Sequence, residues 1–186
     1  AEPIKNIKVV DTCVNSNIDF YNPVPKSNLG YIVKNSQLIR LLINELKKKN
    51  NVHFLTGEKI NSISQKNKNI ISFSQAKKIK SKLIIAADGK NSAVRQMLGT
   101  NIFKKKYNEK ALVINFFHER PHNNTAYEFF FKTGPFAILP MQKQKNNYQS
   151  ALIWSNKPGL VDIINSSKLG NKYIKEILNE KIFHFL

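Results

Sequence analysis

Residues 83–99, LIIAADGKNSAVRQMLG, constrain the chain more than any other stretch. Leu83, Ile84, Ile85 and two alanines make an apolar run with the texture of a strand covered on both faces. Asp88-Gly89 ends the run, and Lys90-Asn91-Ser92 supplies turn and cap chemistry before a helical stretch that starts at Ala93. In α/β proteins ligands gather at the carboxyl end of such strands, where helix N-termini present free N–H groups. An ordinary strand-turn-helix joint has the same local chemistry, so the rest of the chain has to decide.

The predicted strand of this joint runs from Ile79 to Ala87. Further upstream, Ile4–Val14 and Ile18–Tyr21 read as strands and Tyr31–Val33 as a brief apolar stretch. The clearest helix follows, with Asn35 or Ser36 as its N-cap. Leu38, Ile39, Leu41, Leu42, Ile43 and Leu46 give it a broad apolar face, and Lys47-Lys48-Lys49 suits its C-terminal end. Val52–Leu55 reads as a strand directly after it, and Ile63 with Ile70–Phe73 as a hairpin around a polar bend at 65–69. Past Gly99 the helical spacing disappears. Ala111–Phe117, Ala126–Phe131, Phe136–Pro140 and Tyr148–Trp154 are four strands separated by Asn, Gly and Pro, which predicts an antiparallel meander. Leu160–Ile164 and Tyr173–Leu178 return to helical spacing.

The expected fold class is therefore α+β (mixed α/β): a partial Rossmann-like half plus an antiparallel or mixed β-sheet with flanking helices. Residues 1–33 would contribute strands to the sheet domain, 34–99 the partial Rossmann-like domain, and 100–186 the body of the β-sheet domain with its C-terminal helices. One helix and two or three strands leave a doubly wound sheet with an exposed edge and an uncovered face.

Composition narrows the function classes. A chain of 186 residues, 41% hydrophobic and 23% charged, can bury a real core. No apolar run approaches the roughly 20 residues a membrane helix needs, and the start has no apolar signal-peptide region. The single cysteine, Cys13, excludes an internal disulfide framework and points to a reducing, cytoplasmic location; it is expected to be a small buried residue. A net charge of +18 raises nucleic acid as a partner. The lysines are dispersed rather than gathered on one helix, so a solvated surface or attraction to an anionic membrane is the expected reading, with no nucleic acid. His53, His118, His122 and His184 show no metal-ligand spacing, Pro121 argues against a zinc helix at 118–122, and no Ser-His-Asp spacing is present. No metal site and no protein nucleophile are expected.

Three stretches in order carry a family resemblance. LIIAADGKNSAVRQMLG resembles the Asp-Gly motif of the flavin-dependent aromatic hydroxylases related to para-hydroxybenzoate hydroxylase. LGYIVKNSQLIRLLINEL (29–46) is similar to the segment entering their second FAD-domain helix. GPFAILPM (134–141) followed by SALIW (150–154) resembles the ubiquinone-biosynthesis hydroxylases, which oxidise a polyprenyl-substituted phenol. The family's Gly-x-Gly-x-x-Gly turn is not among these residues, nor is its later Gly-Asp motif. The chain thus reads as a central segment of a longer hydroxylase, and by itself would bind FAD weakly or not at all.

The resemblance implies FAD and NAD(P)H as cofactors and a polyprenylated phenol or quinone precursor as substrate. It also implies an inner-membrane surface and other ubiquinone-biosynthesis proteins as partners. It places Asp88 and Gly89 beside the cofactor's ribose and phosphates, Asn35 at the isoalloxazine edge, and Arg95 facing FAD or NAD(P)H phosphates, though a plain surface arginine would look the same. Phe136, Leu139 and Pro140 would line the ring pocket, or else form simple core strand. The resemblance leaves the hydroxylated ring position open. Two other readings remain: a free-standing module that binds a quinone-like lipid or a partner hydroxylase, and a basic nucleic-acid-binding protein.

Overall fold

A computed structural model of the chain describes residues 1–14, 16–24, 26–66, 69–74, 77–166 and 170–182, and has the α+β fold expected. In chain order the elements are β1 (Glu2–Ile4), β2 (Asn6–Asp11), β3 (Ser16–Tyr21), β4 (Gly30–Ile32), α1 (Asn35–Lys47), β5 (Ser62–Lys66), β6 (Asn69–Phe73), β7 (Lys78–Ser81) and α2 (Ala93–Met97). Then come β8 (Lys110–His118), β9 (Thr125–Phe131), β10 (Gly134–Gln144), β11 (Asn147–Asn156), α3 (Pro158–Ser166) and α4 (Gly170–Ile182). The chain divides into two compact units, Ala1–Leu42 with Tyr107–Leu186, and Ile43–Lys106.

The first unit is built on a six-stranded sheet ordered β3-β2-β9-β10-β11-β8, in which β2 and β9 run parallel and the other neighbours antiparallel. The expected meander needs correcting: β8 lies against β11, and β2 takes the place beside β9. Tight turns force β9-β10 and β10-β11 to pair, but the longer 119–124 connection leaves β8 free to find another neighbour. At the β9–β10 turn, Gly134 has φ +131°, and a Cβ there would meet the Ser155 carbonyl oxygen at 2.2 Å. The strand expected over Ile4–Val14 is two strands. Lys5 breaks it by donating its N–H to the Asn124 carbonyl at 2.9 Å, so β1 pairs with β4 and β2 with β3 and β9.

One face of the sheet carries the core. Leu112, Phe129, Phe136, Ile138, Leu152 and Trp154 pack against Val161 and Ile164 of α3 and Ile174 and Ile177 of α4. Each such side chain contributes about 1.5–3 kcal/mol on burial. Phe136 sits edge-on to Phe129, Phe131 and Trp154, with ring centroids 5.7–6.2 Å away.

The second unit holds the antiparallel sheet β5-β6-β7 and the short α2. The β5–β6 hairpin is the one expected, although Asn67 and Lys68 of its bend lie outside the described residues. Val94 is the only buried apolar side chain among the unit's described residues. One expected strand is absent, and another, expected over Ile79–Ala87, is cut short to β7. Val52–Leu55 and Leu83–Ala87 carry no strand ladder, and Leu83 and Ile85 are 70% and 80% exposed. A strand exists through its neighbours' hydrogen bonds, and no described strand lies beside either segment.

Two local expectations also change. The N-cap of α1 is Lys34, whose carbonyl accepts from Gln37 and Leu38 N–H at 2.9 and 3.1 Å, so Asn35 and Ser36 already lie inside the helix. Cys13 is exposed, not buried, because it sits at the β2–β3 turn, where its N–H donates to Asp11 Oδ1 at 2.8 Å. No helix among the described residues is long and apolar enough to cross a membrane, which says nothing of a β-barrel.

Candidate functional site

The Asp-Gly loop is ordered by its own polar groups. The Ser92 hydroxyl caps α2, accepting from Arg95 N–H at 3.0 Å, and Asp88 Oδ2 accepts from Val94 N–H at 3.2 Å. The hydrogen bond from Ser92, then that from Val94, hold the Asp88 carboxyl below its ordinary pKa, so it is an anion at neutral pH. The Arg95 guanidinium donates to the Lys90 carbonyl at 2.6 Å and so closes the loop instead of reaching outward. Gly89 is the bare point: its φ is +80°, and a Cβ placed on it would have no neighbour within 4 Å. A cleft of about 460 Å³ in the same unit is lined by Ile60, Ile79, the Leu83–Asp88 segment and Val94.

This loop fits a phosphate-bearing cofactor in one respect and not in another. A bare glycine backbone in open space admits close approach, and Asp88 fixes the turn that presents it. Asp88 and Arg95, in contrast, are already engaged within the loop.

The other candidates belong to the first unit. Asn35 is exposed in the first turn of α1. Along β10 side chains alternate, so Phe136, Ile138 and Pro140 share the core face while Ala137, Leu139 and Met141 point to the opposite one. Phe136 is 0% exposed and Pro140 is likewise fully buried, whereas Leu139 is half-buried. The three residues therefore do not line one wall. The face of Leu139 is the more open one: Ile18, Val113, Phe117 and Phe130 on it are 46–65% exposed.

That face carries a carboxylate the sequence reasoning passed over. Glu128 on β9 pairs with Ala137 on one side and Val9 on the other, in a row continued by Ile153 and Ile18. It has no hydrogen-bond or ion-pair partner among the described residues, and burial pushes its carboxyl above the usual range. The signal was a single acid inside TAYEFFF, an otherwise uncharged and mostly aromatic strand.

Two of the histidines, His118 and His122, have structural partners, and His53 is exposed. His118 Nδ1–H donates to the Arg120 carbonyl at 2.7 Å and its Nε2 accepts from the Ser150 hydroxyl at 2.9 Å. His122 Nε2–H donates to the Met141 carbonyl at 3.1 Å while Nδ1 accepts from Asn124 N–H at 3.1 Å. These partners fix opposite tautomers on rings 6.1 Å apart. No group of three potential metal ligands exists among the described residues, and His184 lies outside them.

Placed beside known proteins, the chain belongs to the FAD binding domain family, which it matches over residues 21–169. Its relatives include ubiquinone hydroxylases. UbiL of Rhodospirillum rubrum is 28% identical over 162 residues, covering 87% of this chain and 37% of the relative. The mitochondrial ubiquinone biosynthesis monooxygenase COQ6 of Xenopus tropicalis is 28% identical over 200 residues, covering 95% and 42%. The chain thus spans about two fifths of the length of these curated relatives. Among solved structures, Pseudomonas aeruginosa PqsL in complex with 2-aminobenzoylacetate superposes with a TM-score of 0.72 at 14% identity, over 93% of this chain and 47% of that one. A flavoprotein/dehydrogenase from Cytophaga hutchinsonii gives 0.69 at 14%, over 97% and 45%. At these identities the structural likeness speaks for the fold alone.

Proposed function

We propose that the chain is the central part of an FAD- and NAD(P)H-dependent monooxygenase that hydroxylates a polyprenylated phenol in ubiquinone biosynthesis, working at a membrane surface. The observation that carries this reading is the match to ubiquinone hydroxylases over 87–95% of the chain. The open, mostly apolar face of the six-stranded sheet supports it, because a prenylated ring needs an apolar surface to lie on. The chemistry FAD supplies when bound is reductive activation of dioxygen for transfer to an electron-rich ring.

In this reading each residue of the chain binds or positions. Gly89 lets backbone approach the ribose-phosphate region, and Asp88 holds the turn through Val94 N–H. Asn35 reaches the flavin edge from α1, and Leu139 contributes to the ring pocket. Phe136 and Pro140 act from the core, keeping β10 in place. Arg95 rigidifies the loop through Lys90.

The test is a splice. Residues 21–169 replace the matched segment of the Rhodospirillum rubrum hydroxylase, and bound flavin, NAD(P)H oxidation and hydroxylated product are measured with a prenylated phenol. Retained flavin with phenol-stimulated NAD(P)H oxidation and product is expected. A well-folded splice that holds no flavin, or that holds flavin and never hydroxylates the phenol, refutes the proposal.

A further inference from the structure

Glu128 is a misfit in its surroundings. It stands on the open sheet face in the row Ile18, Val9, Glu128, Ala137, Ile153, so its lateral neighbours offer it no donor. Along its own strand the same face carries Ala126 and Phe130, again without a donor. A carboxylate accepts hydrogen bonds and cannot give them. Half-buried and without a partner among the described residues, it is partly desolvated, while its carboxylate oxygens stay accessible from the open side of the sheet. The small Ala126 and Ala137 that flank it are buried, and the apolar surface open beside the carboxylate is that of Ile18 in its row and Phe130 on its own strand.

We propose that Glu128 is the polar anchor of a ligand site on this face, accepting a hydrogen bond from the hydroxyl of a phenolic ring whose apolar substituent lies along the neighbouring side chains. The inference deepens the reading given under Proposed function and rests on it for the ring's identity. A lone acceptor set in an apolar surface selects a ligand with one donor and an apolar body. An alkylammonium ion has both features, but the chain's net charge of +18 repels cations, which leaves a neutral donor. Burial holds the carboxyl above its ordinary pKa, as expected for a group that gains from a donor brought in by a ligand.

The experiment titrates the isotope-labelled 186-residue chain with 4-hexylphenol, hexylbenzene and hexylammonium, following the amide resonances of Ala126, Glu128 and Ala137. The expected result is a preference for 4-hexylphenol over hexylbenzene of at least about tenfold, the worth of a hydrogen bond to a charged acceptor, with shifts centred on Glu128. In Glu128→Leu the two should bind within about twofold of each other, hexylbenzene at its original affinity. The near-isosteric Glu128→Gln keeps a neutral acceptor and should retain an intermediate preference, which guards against a folding artefact in the leucine variant. Four results overturn the proposal: a phenol preference that survives Glu128→Leu, tighter binding of hexylammonium, shifts confined to other residues, or no binding of any of the three compounds. A splice that loses its flavin leaves this titration untouched, whereas a flavin-bearing, active splice with no phenol preference at Glu128 sinks this inference alone.

Discussion

Replacing Phe136 by alanine separates a core residue from a pocket residue. Phe136 is 0% exposed, and three aromatic rings stand around it at 5.7–6.2 Å. Deleting a buried phenylalanine costs about 3–5 kcal/mol, because the lost transfer energy is joined by a cavity that close-packed neighbours fill only in part. Against a total of about 5–15 kcal/mol this removes much of the unit's stability. At about 2–4 °C per kcal/mol for a chain of this size, the melting temperature should fall by at least about 6 °C. The assay is urea unfolding followed by fluorescence of Trp154, the chain's only tryptophan, whose ring lies 5.8 Å from that of Phe136. Leu139→Ala is the internal control. That side chain is half-buried on the opposite face, so its loss should cost about 1–2 kcal/mol. The assignment of faces is refuted if Phe136→Ala stays within about 1 kcal/mol of the parent, or if Leu139→Ala is the more damaging of the two.

Two further outcomes are expected. Gly89→Ala forces a side chain to φ +80° with no contact to repay the strain, so stability should fall by about 1 kcal/mol; faster amide exchange at Val94 and Arg95 would report the local loss, and unchanged exchange would contradict it. The pKa of His118 is lowered, first by desolvation and then by His122, so the folded state favours the neutral ring. The unfolded chain then binds the extra proton first. Stability is complete above about pH 6.5, the ordinary histidine value, and declines as pH falls from there through the lower folded value. In His118→Gln the melting temperature should decline less between about pH 7 and pH 5 than in the parent, and an equal decline would disprove the assignment.

Much of the fold was legible because it is locally written. The helix at 35–47, the β5–β6 hairpin and the strands around 111–117, 126–131, 136–140 and 148–154 all announce themselves through apolar spacing and turn residues within a few positions. The Asp-Gly loop is also local: Ser92 and Asp88 find their N–H partners three and six residues away. The strand that failed, Val52–Leu55, and the lost second half of Ile79–Ala87 depended on neighbours. An apolar run such as Leu83–Ala87 states a preference for burial but cannot supply the ladder that would satisfy it.

The candidate site was harder to read, for the same reason. GPFAILPM is apolar at almost every position, so the alternation that normally tells the two faces of a strand apart is erased. Sequence alone set this segment as a strand and placed it in a family of flavin-dependent hydroxylases. Tertiary structure decided which face the two C-terminal helices cover, and with it that Phe136 and Pro140 lie in the core while Leu139 lies on the other side. It also set β2 beside β9 through pairings more than a hundred residues apart in the chain, which encloses Glu128 between Val9 and Ala137. Spacing within a strand determines which residues share a face; only packing between distant strands and helices determines which face is covered and what chemistry the open one displays.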